Sequence, residues 1–110
     1  MNEFIPVIEL TRCRENDGTF VQVDGRELAV FRFGDPERVV VTDNACPHAN
    51  GNLSAGAITD GVVTCPWHAW EFDLTTGQCT RSADACIHVY PIEVRDGTIY
   101  AQLDESHRFG

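Results

Sequence analysis

Apolar and polar positions alternate along most of the chain, and the alternation is the two-residue period of a half-buried strand. FIPVIEL, residues 4–10, reads as an opening strand. A polar turn, RENDG, closes at Gly18 and leads into FVQV. Asp24-Gly25 is a two-residue hairpin signal, and the ELAVFRF that follows puts Ala29, Phe31 and Phe33 at alternating positions. Gly34-Asp35-Pro36 then turns the chain into RVVVTD. Strands at this regular spacing predict a meander or small barrel.

The pattern changes between Ala45 and about Ser82. Two short motifs, CPHANG from Cys46 and CPWHAW from Cys65, are joined by ANGNLSAGAITDGVVT, a Gly- and Asn-rich connector with one short apolar strand, GVVT. Beyond Cys65, the segment WHAWEFDLTTGQC alternates through Trp70, Phe72 and Leu74 and turns at Thr76-Gly77. IHVYPIEVRDGTIYAQL reads as one strand, a turn at Asp96-Gly97 and a closing strand. No helix longer than a turn or two is predicted, and the polar tail DESHRFG should fray. The expectation is therefore all-β: a single domain over residues 1–110. An antiparallel base from residues 1–44 and 87–103 carries an inserted, loop-rich, ligand-bearing lobe at about residues 45–82.

Size and charge narrow the function classes. With 110 residues, of which 43% are hydrophobic, the chain suits one core and is not compositionally disordered. Its formal charge is -9, from 17 acidic and 8 basic side chains, and every basic one is arginine. That balance speaks against nucleic acid and against anionic membranes as partners. A basic patch on another protein is the natural counterpart, although negative charge serves solubility equally well. MNEFIPVIEL has neither the basic start nor the long apolar run of a signal peptide, so the expected location is cytoplasmic. Five cysteines, at 13, 46, 65, 79 and 86, are an odd number for a disulfide scaffold. Cysteines in tight motifs then read as ligands, and isolated ones as small buried hydrophobes.

Cys46 and His48 enclose one residue, Cys65 and His68 enclose two, and sixteen residues lie between the pairs. Two thiolates and two imidazoles satisfy a tetrahedral zinc ion. They equally hold a two-iron, two-sulfur cluster in which histidines replace two cysteines on one iron. Donor chemistry leaves both open. The surroundings do not suit a zinc finger, since no recognition helix or basic surface follows the second motif.

C-P-H followed sixteen residues later by C-P-W-H resembles the signature of the Rieske [2Fe-2S] family. The resemblance continues through Leu53, Gly56 and Gly61 to CPWHAWEFDLTTGQC and YPIEVRDGTIY, covering nearly the entire chain. It implies a Rieske-like fold and one [2Fe-2S] cluster held by Cys46, His48, Cys65 and His68. The two cysteines would hold a buried inner iron and the two histidines an outer iron near the surface. Pro47 and Pro66 would restrict the backbone beside the ligands. Gly51, Gly56 and Gly77 would let the loops turn and aim amides at the sulfurs, with plain turn chemistry the other reading.

Within the family, respiratory-chain proteins carry two further cysteines that bridge the cluster loops; here those places hold Gly51 and Trp67. The same proteins donate serine and tyrosine hydroxyls to the sulfurs, where this chain has Trp70 and Phe72. Losing both donors should lower the reduction potential. The pattern instead resembles the ferredoxins of bacterial ring-hydroxylating oxygenases. It implies an electron carrier without a reaction of its own, monomeric between encounters, with a ferredoxin reductase and a terminal oxygenase as partners. The alternatives are a small subunit of a nitrite-reductase-like complex and a zinc-stabilised interaction module. Trp67 and Trp70 are candidates for a docking rim or for packing, and Glu71 and Asp73 for docking charge or a solvated face. Cys13, Cys79 and Cys86 have no paired motif; Cys79 follows the TTGQ turn and is read as a buried packing residue or one near the cluster lobe, and His88 and His107 are read as lying away from the cluster.

Overall fold

The computed structural model describes residues 3–34, 37–45, 52–66, 70–80 and 86–103. Ten strands account for most of them: β1 (Phe4–Glu9), β2 (Asp17–Val23), β3 (Arg26–Phe33), β4 (Arg38–Asp43), β5 (Ala57–Thr59), β6 (Val62–Thr64), β7 (Glu71–Asp73), β8 (Val89–Tyr90), β9 (Ile92–Arg95) and β10 (Thr98–Gln102). The only helical segments among the described residues are two single 3-10 turns, Leu10–Arg12 and Leu53–Ala55. The all-β expectation holds.

The strands form three antiparallel sheets, ordered β1-β10-β9, β2-β3-β4-β8 and β5-β6-β7. Three of the hairpins close on the same dipeptide. Asp24-Gly25, Asp60-Gly61 and Asp96-Gly97 each take positive φ at both positions, 53° and 78°, 51° and 77°, 50° and 79°. Two consecutive left-handed residues give a turn whose twist matches that of the flanking strands, and Asp followed by Gly adopts it readily.

β3 explains how three sheets share one molecule. Its residues alternate between two cores: Leu28 and Val30 pack with Val41, Tyr90, Ile99 and Ala101 on one side. Ala29, Phe31 and Phe33 pack with Leu53, Val63, Cys65, Phe72 and Leu74 on the other. The near-continuous apolar run LAVF is thus a strand with both faces buried, and the four-stranded sheet is a wall between two cores. Arg32, which follows that run, lies near the strand's end. Its guanidinium donates to Glu37 Oε2 at 2.6 Å and to the Cys13 carbonyl at 2.8 Å, tying β3 to the segment after β1.

Two sequence expectations need correction. The connector before Cys65 holds two strands, since AIT pairs with VVT as the β5–β6 hairpin around Asp60-Gly61. IHVYPIEVR is not one strand. Pro91 has no amide to donate, and the ladder breaks there: Val89 and Tyr90 pair with β4, whereas Ile92–Arg95 pairs with β10 in a different sheet.

Candidate metal centre

Described residues flank each motif and join across it by backbone hydrogen bonds. The first loop leaves the end of β4. Ala45 pairs with Asn52 in an isolated antiparallel bridge. Just outside that pair, the Leu53 amide donates to the Asn44 carbonyl at 2.9 Å, and the Ser54 amide to Asn44 Oδ1 at 3.0 Å. The second loop continues β6, and the Cys65 amide donates to the Trp70 carbonyl at 2.7 Å, closing a hairpin that leads into β7. Cys46, His48 and His68, with Gly51 and Trp67, lie outside the described residues.

What brings the two bases together is a close backbone approach. The chain returning from the first loop passes Gly56, where a Cβ would stand 2.3 Å from the Thr64 carbonyl oxygen, one residue before Cys65. Gly56 has φ -77° and so is not a left-handed turn residue. Its lack of a side chain is needed for contact. Leu53 and Cys65 consequently share one core, both without solvent exposure.

The Cys65 thiol is the one expected ligand whose surroundings are described. It is fully buried among Leu53, Val63, Phe72 and Leu74, with Trp70 packed against the same cluster. A buried thiolate without a cation is expensive, whereas coordination deprotonates a thiol and neutralises it in place. A dry, sulfur-bearing floor beneath two hairpin loops therefore suits a thiolate-ligated metal group. Among the described residues no set of three or more His, Cys, Asp or Glu side chains is gathered as a metal site.

The remaining candidates have other employment. Gly77 has φ +81°, its amide donates to the Asp73 carbonyl and its carbonyl accepts from the Ile87 amide, both at 2.7 Å. That is turn chemistry, and its amide does not point at a sulfur. Asp73 Oδ1 accepts the Thr75 amide at 2.7 Å and Glu71 Oε1 accepts the Thr80 hydroxyl at 3.1 Å, so both carboxylates buttress the β7 turn. Cys79 is buried opposite Phe72 and Cys86 is exposed opposite Gln78. Cys13 lies in the other core, where burial pushes its thiol pKa up, partly offset by a hydrogen bond with Thr19 and the charge of Arg32. The His88 ring meets Tyr90 edge-on, centroids 4.3 Å apart. Tyr90 in turn donates its hydroxyl to Asp43 Oδ1 at 2.5 Å, beside the exit of β4 towards the first loop. Asn44 does not stand out as a structural residue in the sequence alone, because it acts through a partner ten positions away, and Gly56, expected as a loop-turning residue, instead serves close contact with Thr64. The Asp60-Gly61 pair was a readable signal for the β5–β6 hairpin.

The family model described as the Rieske [2Fe-2S] domain matches residues 3–91, most of the chain. The chain belongs to the Rieske [2Fe-2S] domain family. The group that a Rieske domain binds is a [2Fe-2S] cluster and not a zinc ion. Among curated relatives, the anthranilate 1,2-dioxygenase ferredoxin subunit of Burkholderia cepacia is 36% identical over 99 residues, covering 88% of this Rieske domain and 89% of that protein. The cholesterol 7-desaturase of Hemicentrotus pulcherrimus is 34% identical over 79 residues, 71% of this chain but only 17% of that much longer protein. Among solved structures, the ferredoxin of carbazole 1,9a-dioxygenase from Nocardioides aromaticivorans IC177 aligns with a TM-score of 0.81 at 28% identity, over 92% of this chain and 98% of that one. The Rieske-like fold is thereby established. No helix of the described residues is long and apolar enough to cross a membrane.

Proposed function

We propose that this chain is an electron carrier that passes single electrons from a reductase to an oxygenase component, through a [2Fe-2S] cluster held by Cys46, His48, Cys65 and His68. The observation that carries the reading is the buried Cys65 thiol, beside the close approach of the segments that flank the C-P-H and C-P-W-H motifs. Similarity over most of both chains to a ferredoxin subunit of a dioxygenase supports the carrier reading. When bound, the cluster supplies a one-electron couple.

The chain's own residues do the rest. Residues 45–82 form the cluster-binding lobe in this reading, with the buried Cys65 thiol on its dry side. Leu53, Val63, Phe72 and Leu74 keep water from the sulfur side. The hydrogen bonds of Asn44 with Leu53 and Ser54, and of Cys65 with Trp70, would tie the segments that flank the ligands. A partner would dock beside the histidine ligands, and the charge of -9 favours one with a basic surface. We place the protein in the cytoplasm, where cysteines in tight motifs serve as metal ligands.

The test is chemical analysis of the purified protein. Two irons and two acid-labile sulfides per chain are expected, in a red-brown protein that takes up one electron. One zinc without sulfide would overturn the reading.

A further inference from the structure

We propose that Asn44 is a positioning residue for the first ligand loop, holding both ends of that loop and acting through Cys46. The proposal rests on the reading of Cys46 as a ligand. Asn44 is one of three buried polar or charged side chains among the described residues, 6% exposed, and stands two positions before Cys46. Its backbone amide donates to the Glu27 carbonyl at 3.1 Å, fixing it to β3. Its carbonyl accepts the Leu53 amide at 2.9 Å and its side-chain Oδ1 accepts the Ser54 amide at 3.0 Å.

Those two amides open the 3-10 turn Leu53–Ala55, and the first amides of any helical turn need acceptors from outside it. The residue at the cap position ordinarily supplies one. Here the cap residue is Asn52, which makes no side-chain cap hydrogen bond. Its Oδ1 accepts the Ser54 hydroxyl at 2.7 Å instead. Asn44 caps the turn from across the loop, so that the segment leaving β4 and the segment returning to the lobe are joined by one side chain. The Ala45–Asn52 bridge is a single pair. The amide oxygen of Asn44 adds a second tie between the segment that precedes Cys46 and the one that follows the motif.

The test compares Asn44→Ala with Asn44→Asp in the full chain, using two readouts. The first is hydrogen exchange at the Ser54 amide. The second is loss of visible absorbance under a chelator, together with the EPR line shape of the reduced protein. A buried donor left without an acceptor shifts the local opening equilibrium by about tenfold or more. N44A is therefore expected to speed Ser54 exchange and cluster loss by about that factor and to broaden the EPR signal. N44D, which keeps an oxygen at the same reach, is expected to retain the wild-type line shape and exchange rate. Faster Ser54 exchange with unchanged cluster loss and line shape would reduce Asn44 to a cap and overturn the positioning role. Unchanged exchange would overturn the clamp itself. Should N44A not fold, N44S replaces it, its oxygen being too short to reach Ser54; equal perturbation by N44S and N44D would overturn the proposal. A wild-type protein without cluster absorbance would instead overturn the parent reading, and with it the role of Asn44 towards a ligand, whatever Ser54 exchange reports about the clamp.

Discussion

Replacing Gly56 by alanine puts a methyl carbon 2.3 Å from the Thr64 carbonyl oxygen and 3.0 Å from Val63 Cγ2. An ordinary carbon–oxygen contact is about 3.3 Å, so the strands must part by about 1 Å. The obstructing atom is backbone, in the strand that ends at Cys65, and cannot swing aside as a side chain would. Two effects compete. Alanine at φ -77° restricts the unfolded chain, which stabilises by roughly 0.4–1 kcal/mol. Overpacking costs about 1–3 kcal/mol. The second wins, and a net loss of about 1–2 kcal/mol is expected. With a urea slope of about 1–3 kcal/mol per molar, the unfolding midpoint falls by roughly 0.5–1 M. The displacement also spreads the two ligand hairpins, so cluster absorbance is lost at lower urea than in the wild type. Gly25→Ala is the control: its Cβ meets nothing within 4 Å, but φ +78° imposes a strain of about 1 kcal/mol. G25A should therefore lose stability without altering the spectrum of the folded protein. A G56A midpoint at or above the wild-type value, with an unchanged visible spectrum, would refute the argument that close contact at Gly56 joins the two loops.

Two further outcomes are expected. Phe72 is fully buried in apolar surroundings and Trp70 packs beside it, so neither position offers a hydroxyl to a cluster sulfur; a redox titration should give a midpoint in the lower part of the histidine-ligated range, which begins near about -150 mV, and a well positive midpoint would contradict this. Burial first, and then the hydrogen bond to Asp43, raise the Tyr90 pKa above 10.0. The folded protein thus keeps a proton that the unfolded chain loses, and the contribution to stability is complete below pH 10 and lost as pH climbs above it. Urea midpoints measured across that range should fall in the wild type and fall less in Tyr90→Phe, which also loses about 1.5 kcal/mol near neutrality with its hydrogen bond; parallel profiles would dismiss Tyr90 as the titrating group.

Much of this architecture was legible because it is local. The alternation of β2, β3 and β4 and the turns at Asp24-Gly25 and Asp96-Gly97 are written in neighbouring residues, and both faces of ELAVFRF are apolar because both are buried. The β5 strand was missed since three residues, AIT, show too little alternation inside a Gly- and Asn-rich stretch. Pro91 marked a break that the surrounding apolar run disguised. At the site, the motif spacing identified Cys65 as a ligand candidate, and its burial accords with that. The assignments of Cys46, His48 and His68 fall on residues outside those described. The supports beneath them, Asn44 on Ser54 and Gly56 on Thr64, span ten and eight positions and depend on where the sheet carries each strand. No pattern of types announces such contacts.

A strand shared by two cores also constrains the order of assembly. Neither core can close before β3 is in place, and its partners β2 and β4 are its sequence neighbours, joined through short connections. The β2-β3-β4 meander is therefore the natural nucleus, formed while loop closure costs least. Pairing of β4 with β8 and of β1 with β10, between residues as remote as Phe4 and Gln102, must come later. Substitutions within the meander should then slow folding, whereas those in β1 or β10 should chiefly hasten unfolding. The wall between the two cores is built first, and the metal-bearing side is furnished against it.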